Sequence, residues 1–287
     1  MKNMSIKDVK LILEELGIKP SKRLGQNFLI DKNLSNKIIL KSEITENDII
    51  LEVGGGLGAL THLLSEKATK LYVYEIDSKL YQYLIDKFSK FDNIEIFNED
   101  ILKVKIPFHN KVVSNIPYTI TGPLFDKLFY NDNPPTGIMI IEKNIADKIF
   151  SPSTYKNISR ISIMFNSFIE PIKKFDVSSK CFYPTPNIKL SFVKVKPKQN
   201  VDPFLLNVEN KEYYSIFIAG IMPYKNKNLL NALKLFFNNK GLTNLKKENI
   251  TQVLKENNFE NKKVFNYNVE DFIRLSKIIF KLEKSTL

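Results

Sequence analysis

The chain has 287 residues, a length that favours two domains or one large one, and 43% of them are hydrophobic, too many for a disordered tail. Its 43 basic and 31 acidic residues leave a net charge of +12. A single cysteine, Cys181, excludes an internal disulfide framework and a multi-cysteine zinc site, and two histidines, His62 and His109, leave little for a metal centre. A reducing, cytoplasmic setting is expected. From Met1 to Leu16, charged residues alternate with apolar ones, so no signal peptide is read, and no apolar run is long enough to span a membrane.

In chain order, Ser5–Leu16 reads as a short amphipathic helix. Ser5 and Asp8 are able to cap its start, Gly17 and Pro20 end it, and Leu11, Ile12 and Leu16 are its expected core-facing side. Apolar runs at Ile49–Val53, Leu71–Ile76, Ile94–Phe97, Lys111–Ser114 and Gly137–Ile141 read as buried strands. Helical periods at Ala59–Glu66, Lys79–Phe88 and Pro123–Phe129 separate them. Two further runs, Phe168–Phe175 and Lys189–Lys196, read as an antiparallel addition at the sheet edge. Strand–helix alternation predicts a doubly wound, Rossmann-like α/β sheet of about seven strands. After Pro197 the pattern becomes helical, with candidates at Tyr213–Ile221, Asn228–Phe237, Lys247–Glu256 and Val269–Leu282. The expected organisation is an α/β domain over 1–198, including the N-terminal helix, and a smaller all-helical domain over 199–287.

The charge is unevenly placed. Residues 1–41, 170–200 and 201–287 each carry +5, whereas 42–169 carry −3. Basic flanks around a near-neutral core suggest a polyanionic partner beside a site for a small ligand. Only Arg23, Arg160 and Arg274 are arginine, so a compositional lysine bias competes with that reading.

Leu51-Glu52-Val53-Gly54-Gly55-Gly56-Leu57-Gly58-Ala59 runs from a strand through a glycine turn into a helix. Such glycines let a backbone approach a nucleotide closely, and Gly54, Gly56 and Ala59 also satisfy a dinucleotide pattern, so the loop alone indicates only an adenosine-containing cofactor. Glu75 follows Gly54 by twenty-one residues, the distance at which a strand-end acid meets ribose hydroxyls; Asp77 is better suited to capping the next helix. Asp100 could accept from an adenine amine. Ser114-Asn115-Ile116-Pro117-Tyr118 follows the fourth strand, at the mouth of the sheet. There the Asn115 side-chain oxygen and the Ile116 carbonyl could hold an exocyclic amine, Pro117 stiffens the turn and Tyr118 offers a stacking ring.

With these motifs in place, the chain resembles the KsgA-type ribosomal RNA adenine dimethyltransferases over nearly its whole length. The resemblance also includes Leu24-Gly25-Gln26-Asn27-Phe28-Leu29, Phe182-Tyr183-Pro184-Thr185-Pro186 with Ser191, and Val269 to Leu275. It implies S-adenosylmethionine as methyl donor, without a metal, bound by Gln26, Asn27, Leu29, Gly54, Gly56, Glu75, Asp100 and Asn115. It implies catalysis at Asn115, Ile116, Pro117 and Tyr118, and stacking of an extruded base between Tyr118 and Phe182. Phe182 is alternatively a core aromatic beside Cys181. The implied substrate is a pair of adjacent adenosines near the 3′ end of small-subunit ribosomal RNA in an immature particle, each dimethylated on N6 during ribosome biogenesis by a monomeric enzyme. Relatives often carry an arginine-rich stretch early in the helical domain, whereas this chain has Tyr224-Lys225-Asn226-Lys227-Asn228-Leu229. Three other readings stay open: a large-subunit methyltransferase of the resistance type, a non-catalytic RNA-binding assembly factor of this fold, and an NAD-dependent dehydrogenase.

Overall fold

The computed structural model describes residues 5–152, 156–242 and 246–286; the first four residues of the stretch read as carrying no signal peptide lie outside the described residues. The described chain forms two compact units, one of residues 1–146 and 170–197, the other of residues 147–169 and 198–287.

In the first unit the strands are β1 (Phe28–Leu29), β2 (Ile49–Val53), β3 (Lys70–Tyr74), β4 (Ile94–Phe97), β5 (Lys111–Asn115), β6 (Thr136–Glu142), β7 (Ile169–Val177), β8 (Phe182–Tyr183) and β9 (Leu190–Pro197). Seven of them form one sheet in the order β4-β3-β2-β5-β6-β9-β7. The five from β4 to β6 are parallel, and β9 runs antiparallel to β6, pairing Gly137 with Val195 through Glu142 with Leu190. The expected sheet of seven strands is therefore observed. Ile50, Leu51, Val112, Val113, Ile138 and Ile140 are fully or almost fully buried, as strands covered on both faces require.

The helices of this unit are α1 (Ile6–Glu15), α2 (Lys32–Ser42), α3 (Ala59–Ser65), α4 (Ser78–Phe88) and α5 (Thr121–Phe129), with α6 (Lys143–Phe150) leading out of it. Ser5 and Asp8 form a reciprocal capping box on α1, and Gly17 beyond its end takes φ +58°. The buried residues of α1 are Val9 and Leu13, flanked by half-buried Ile12 and Leu16, while Leu11 is exposed. The helix thus packs on the core through a face rotated from the expected one, against Phe28, Leu57 and Leu80. The two-residue strands β1 and β8 form a separate ladder, Phe28 opposite Tyr183 and Leu29 opposite Phe182.

The second unit contains α7 (Arg160–Phe168), α8 (Pro203–Leu206), α9 (Val208–Ile221), α10 (Leu229–Asn239), α11 (Lys247–Glu256) and α12 (Val269–Thr286). It starts earlier than the expected boundary at 198, because residues 147–169 belong to it. The physical reason is the apolar face of α7: Ile163, Met164, Phe165 and Phe168 are buried, and α7 packs against α9 and α12. Gly220 lets the Phe236 ring approach α9, since a β-carbon there would lie 2.6 Å from it. No described helix is long and apolar enough to cross a membrane.

Candidate active site

One cleft at the carboxyl ends of the parallel strands collects the glycine loop after β2, the end of β3, the turn after β4, the end of β5 and the segment before β1. This is where open α/β sheets bind ligands. All eight residues expected to bind the donor, Gln26, Asn27, Leu29, Gly54, Gly56, Glu75, Asp100 and Asn115, line it. Pro117 lines it as well; Ile116, Tyr118 and Phe182 do not.

The glycine loop is shaped by backbone that a side chain would disturb. Gly54, Gly56 and Gly58 have φ of +79°, +56° and +75°. A β-carbon on Gly55 would lie 2.7 Å from both Leu84 and Val73, and one on Gly58 would lie 2.7 Å from the Phe88 ring. Glu75 locks the loop to β3: it accepts from the Gly56 amide at 2.9 Å and from the Asp77 amide at 3.0 Å. Burial raises the Glu75 pKa above its ordinary value. As expected, Asp77 caps α4, accepting from the amides of Lys79 and Leu80.

Gln26 is at the cleft, but both ends of its amide are engaged inside the protein. It accepts from the Ser21 amide at 2.8 Å and donates to Asp77 at 3.0 Å, so it shapes the wall. Asp100 accepts from the Leu102 amide at 3.0 Å and faces Lys103 at 3.6 Å.

Asn115 ends β5 with its amide oriented by a neighbour: Nδ2 donates to the Asn27 carbonyl oxygen at 3.1 Å. Its Oδ1 is left to accept, and the Tyr118 hydroxyl lies 3.4 Å from it. Burial pushes the Tyr118 phenol far above its usual pKa, so it stays protonated. The Ile116 side chain is fully buried and its amide donates to the Ile140 carbonyl, which fixes the backbone of the turn. Pro117 packs beside Gly54, where a β-carbon would lie 3.2 Å from its ring.

The structure places Phe182 in the core, the alternative that the sequence left open. Its ring is 1% exposed and belongs to the core with Leu29, Ile38 and Phe192, because pairing with β1 turns it inward. The ring thus presents no open face to a base.

Sequence reasoning missed Glu52 and Ile76. Glu52 is 2% exposed, accepts from the Thr61 hydroxyl at 2.7 Å, and has its pKa pushed up to about 8 by burial and by the Glu75 charge. Ile76 follows Glu75 at the cleft and stays 51% exposed, an open apolar surface whose sequence signal is an isoleucine just past a strand-end acid.

Residues 17–279 match the ribosomal RNA adenine dimethylases as a family. The chain belongs to that family. A "Ribosomal RNA small subunit methyltransferase A" of Borrelia garinii subsp. bavariensis is 34% identical over 276 residues, covering 95% of this chain and 93% of the relative. The protein of the same name from Thermotoga maritima is 35% identical over 225 residues, covering 78% of each. Among solved structures, a dimethyladenosine transferase from Plasmodium falciparum aligns with a TM-score of 0.71 at 25% identity, covering 88% of this chain and 96% of that one. The 23S rRNA methyltransferase ErmE aligns at 0.63 and 25% identity, covering 88% and 100%.

The cleft of this dimethylase-family chain fits S-adenosylmethionine better than a dinucleotide. Its lining acids are Glu99, Asp100 and Glu75, together with Glu52, which burial keeps protonated at neutral pH, against Arg23 as the base. An acid-rich wall suits a cationic donor and opposes a pyrophosphate. The glycine backbone supplies the space that β-carbons would fill, while Ile76, Ile101 and Leu102 give apolar surface for a planar base. No group of acids, histidines and cysteines among the described residues has metal-holding geometry.

Proposed function

We propose that this protein transfers methyl groups from S-adenosylmethionine to N6 of two adjacent adenosines near the 3′ end of small-subunit ribosomal RNA, twice on each, within an immature particle. The observation that carries the reading is the orientation of Asn115 by the Asn27 carbonyl, beside an acid-rich nucleoside cleft.

An adenine amine is a poor nucleophile because its lone pair is delocalised into the ring. In this reading Asn115 Oδ1 and the Ile116 carbonyl oxygen accept its two hydrogens and hold the nitrogen pyramidal, with the lone pair aimed into the cleft. Tyr118 moves its hydroxyl off Asn115 and stacks on the extruded base, a contact worth about 1–3 kcal/mol. S-adenosylmethionine, when bound, supplies the electrophilic methyl group. Pro117 and Gly54 keep the turn and the glycine loop in register, so the amine meets the donor in line. The new N–C bond would form as the S–CH3 bond of the donor breaks and leaves S-adenosylhomocysteine, and the nitrogen, then acidic, gives its proton to water. The singly methylated amine re-enters with one hydrogen left for Asn115 or Ile116.

Lysine-rich flanks support docking on RNA by charge and shape. In the stretch from Tyr224 to Leu229, Lys225 is half-buried and donates to the Ile158 carbonyl, whereas Lys227 is exposed. The complete coverage of ErmE keeps a large-subunit substrate as the second reading. Methyl transfer from labelled donor to isolated small and large subunits separates the two. Label in the small subunit supports the first reading and label only in the large one supports the second.

A further inference from the structure

Helix α4 carries a half-buried cation that the chemistry above does not use. Lys87, in its last turn, points Nζ at the back of the glycine loop and donates to the Leu57 carbonyl oxygen at 2.7 Å and to the Tyr83 hydroxyl at 3.2 Å. The rings of Tyr83 and Phe88 lie 5.1 Å and 5.6 Å from it. Leu57 is 2% exposed and sits between Gly56 and Gly58, both left-handed. The Leu57–Gly58 peptide turns over at little steric cost because Gly58 accepts either sign of φ, so an external group must fix the direction of the Leu57 carbonyl. The Gly56 amide is already held by Glu75 from the β3 side. The Leu57 carbonyl is held by Lys87 from the α4 side.

We propose that Lys87 is a positioning residue for donor binding, fixing the glycine loop through a charge-assisted hydrogen bond to the Leu57 carbonyl. Charge roughly doubles the strength of such a bond. Burial lowers the Lys87 pKa to about 8. The ammonium is complete below that pH, and the grip weakens as pH rises through it. The titratable groups facing it are Tyr83 on its own helix and, across from Tyr83, Glu15 on α1; burial and the Glu15 charge both raise the Tyr83 pKa, so the phenol keeps its proton across this window. Arginine in place of Lys87 would remain charged throughout.

The inference rests on the reading of this cleft as a donor site, and its test separates the two. S-adenosylmethionine binding to the full chain is measured by calorimetry at pH 6.5 and 9 for the wild type, Lys87→Met and Lys87→Arg. Hydrogen exchange at the Gly55–Gly58 amides is followed without donor. At pH 6.5, Lys87→Met should weaken binding about tenfold, the loss of one charged hydrogen bond. Its loop amides should exchange faster while those of β6 do not change. Lys87→Arg should bind within about threefold of wild type at pH 6.5 and more tightly than wild type at pH 9, a comparison at one pH that cancels the titration of Glu52 in the same cleft. Equal binding and equal loop exchange in Lys87→Met would overturn the proposal. If Lys87→Met does not fold, the pH comparison of Lys87→Arg with wild type decides. Wild type that binds no donor would instead reject the donor reading, and loop exchange would still decide the grip.

Discussion

Asn115 donates from its amide nitrogen to the backbone carbonyl of Asn27, 3.1 Å away and 88 residues earlier in the chain. That bond joins the segment before β1 to the end of β5, and it decides which end of the Asn115 amide is an acceptor. Replacing Asn115 by alanine removes the acceptor without touching Glu75 or the glycine loop. Single-turnover methyl transfer should fall by about a hundredfold or more, the usual cost of one preorganised catalytic hydrogen bond. An Asn115→Ala protein with wild-type turnover would remove Asn115 from the mechanism.

Gly58 combines φ of +75° with a Phe88 ring that would lie 2.7 Å from a β-carbon. Gly58→Ala should therefore cost about 2 kcal/mol in urea denaturation, through strain and overpacking together. Gly122 has nothing within 4 Å of its hypothetical β-carbon, and alanine there should leave stability nearly unchanged.

Glu52 gives a pH signature. Its carboxyl is raised from an ordinary 4.5 to about 8 in the fold, so between those values the folded state keeps a proton that the unfolded chain gives up. Stability must then fall as pH rises through that window, and Glu75, also raised by burial, acts in the same direction. Glu52→Gln keeps a neutral acceptor for Thr61. It should melt higher than wild type at pH 8, with the gain vanishing near pH 5; an equal gain at both pH values would contradict the assignment.

Much of this was legible in the sequence, and the failures have physical causes. The strands of the large sheet announce themselves because residues buried on both faces form continuous apolar runs. β1 and β8 are two residues long and leave no period to detect. Arg160–Phe168 forms α7 with a Ser159–Ser162 capping box, which lacks the acidic partner that usually marks a helix start. Its membership of the second unit depends on packing with α9 and α12, distant in sequence. The residues that line the cleft were readable because glycines and acids recur at fixed spacing along strand ends. The inward turn of Phe182 was not, because it follows from pairing with Leu29, 153 positions earlier in the chain.

The net charge of +12 is carried almost wholly by lysine. Lysine meets phosphate as a point charge, so docking should depend on counterion release more than on bidentate geometry. Affinity for the RNA substrate should drop at least about tenfold between 50 and 200 mM salt. A salt-insensitive binding constant would mean that the basic flanks do not meet RNA.

The most direct test of the central claim is mass-spectrometric mapping of ribosomal RNA after incubating the protein and S-adenosylmethionine with unmethylated small subunits. The account predicts N6,N6-dimethyladenosine at two adjacent positions near the 3′ end, absent when Asn115→Ala is used. No dimethyladenosine in the small-subunit RNA, or its appearance only in large-subunit RNA treated in parallel, would contradict it.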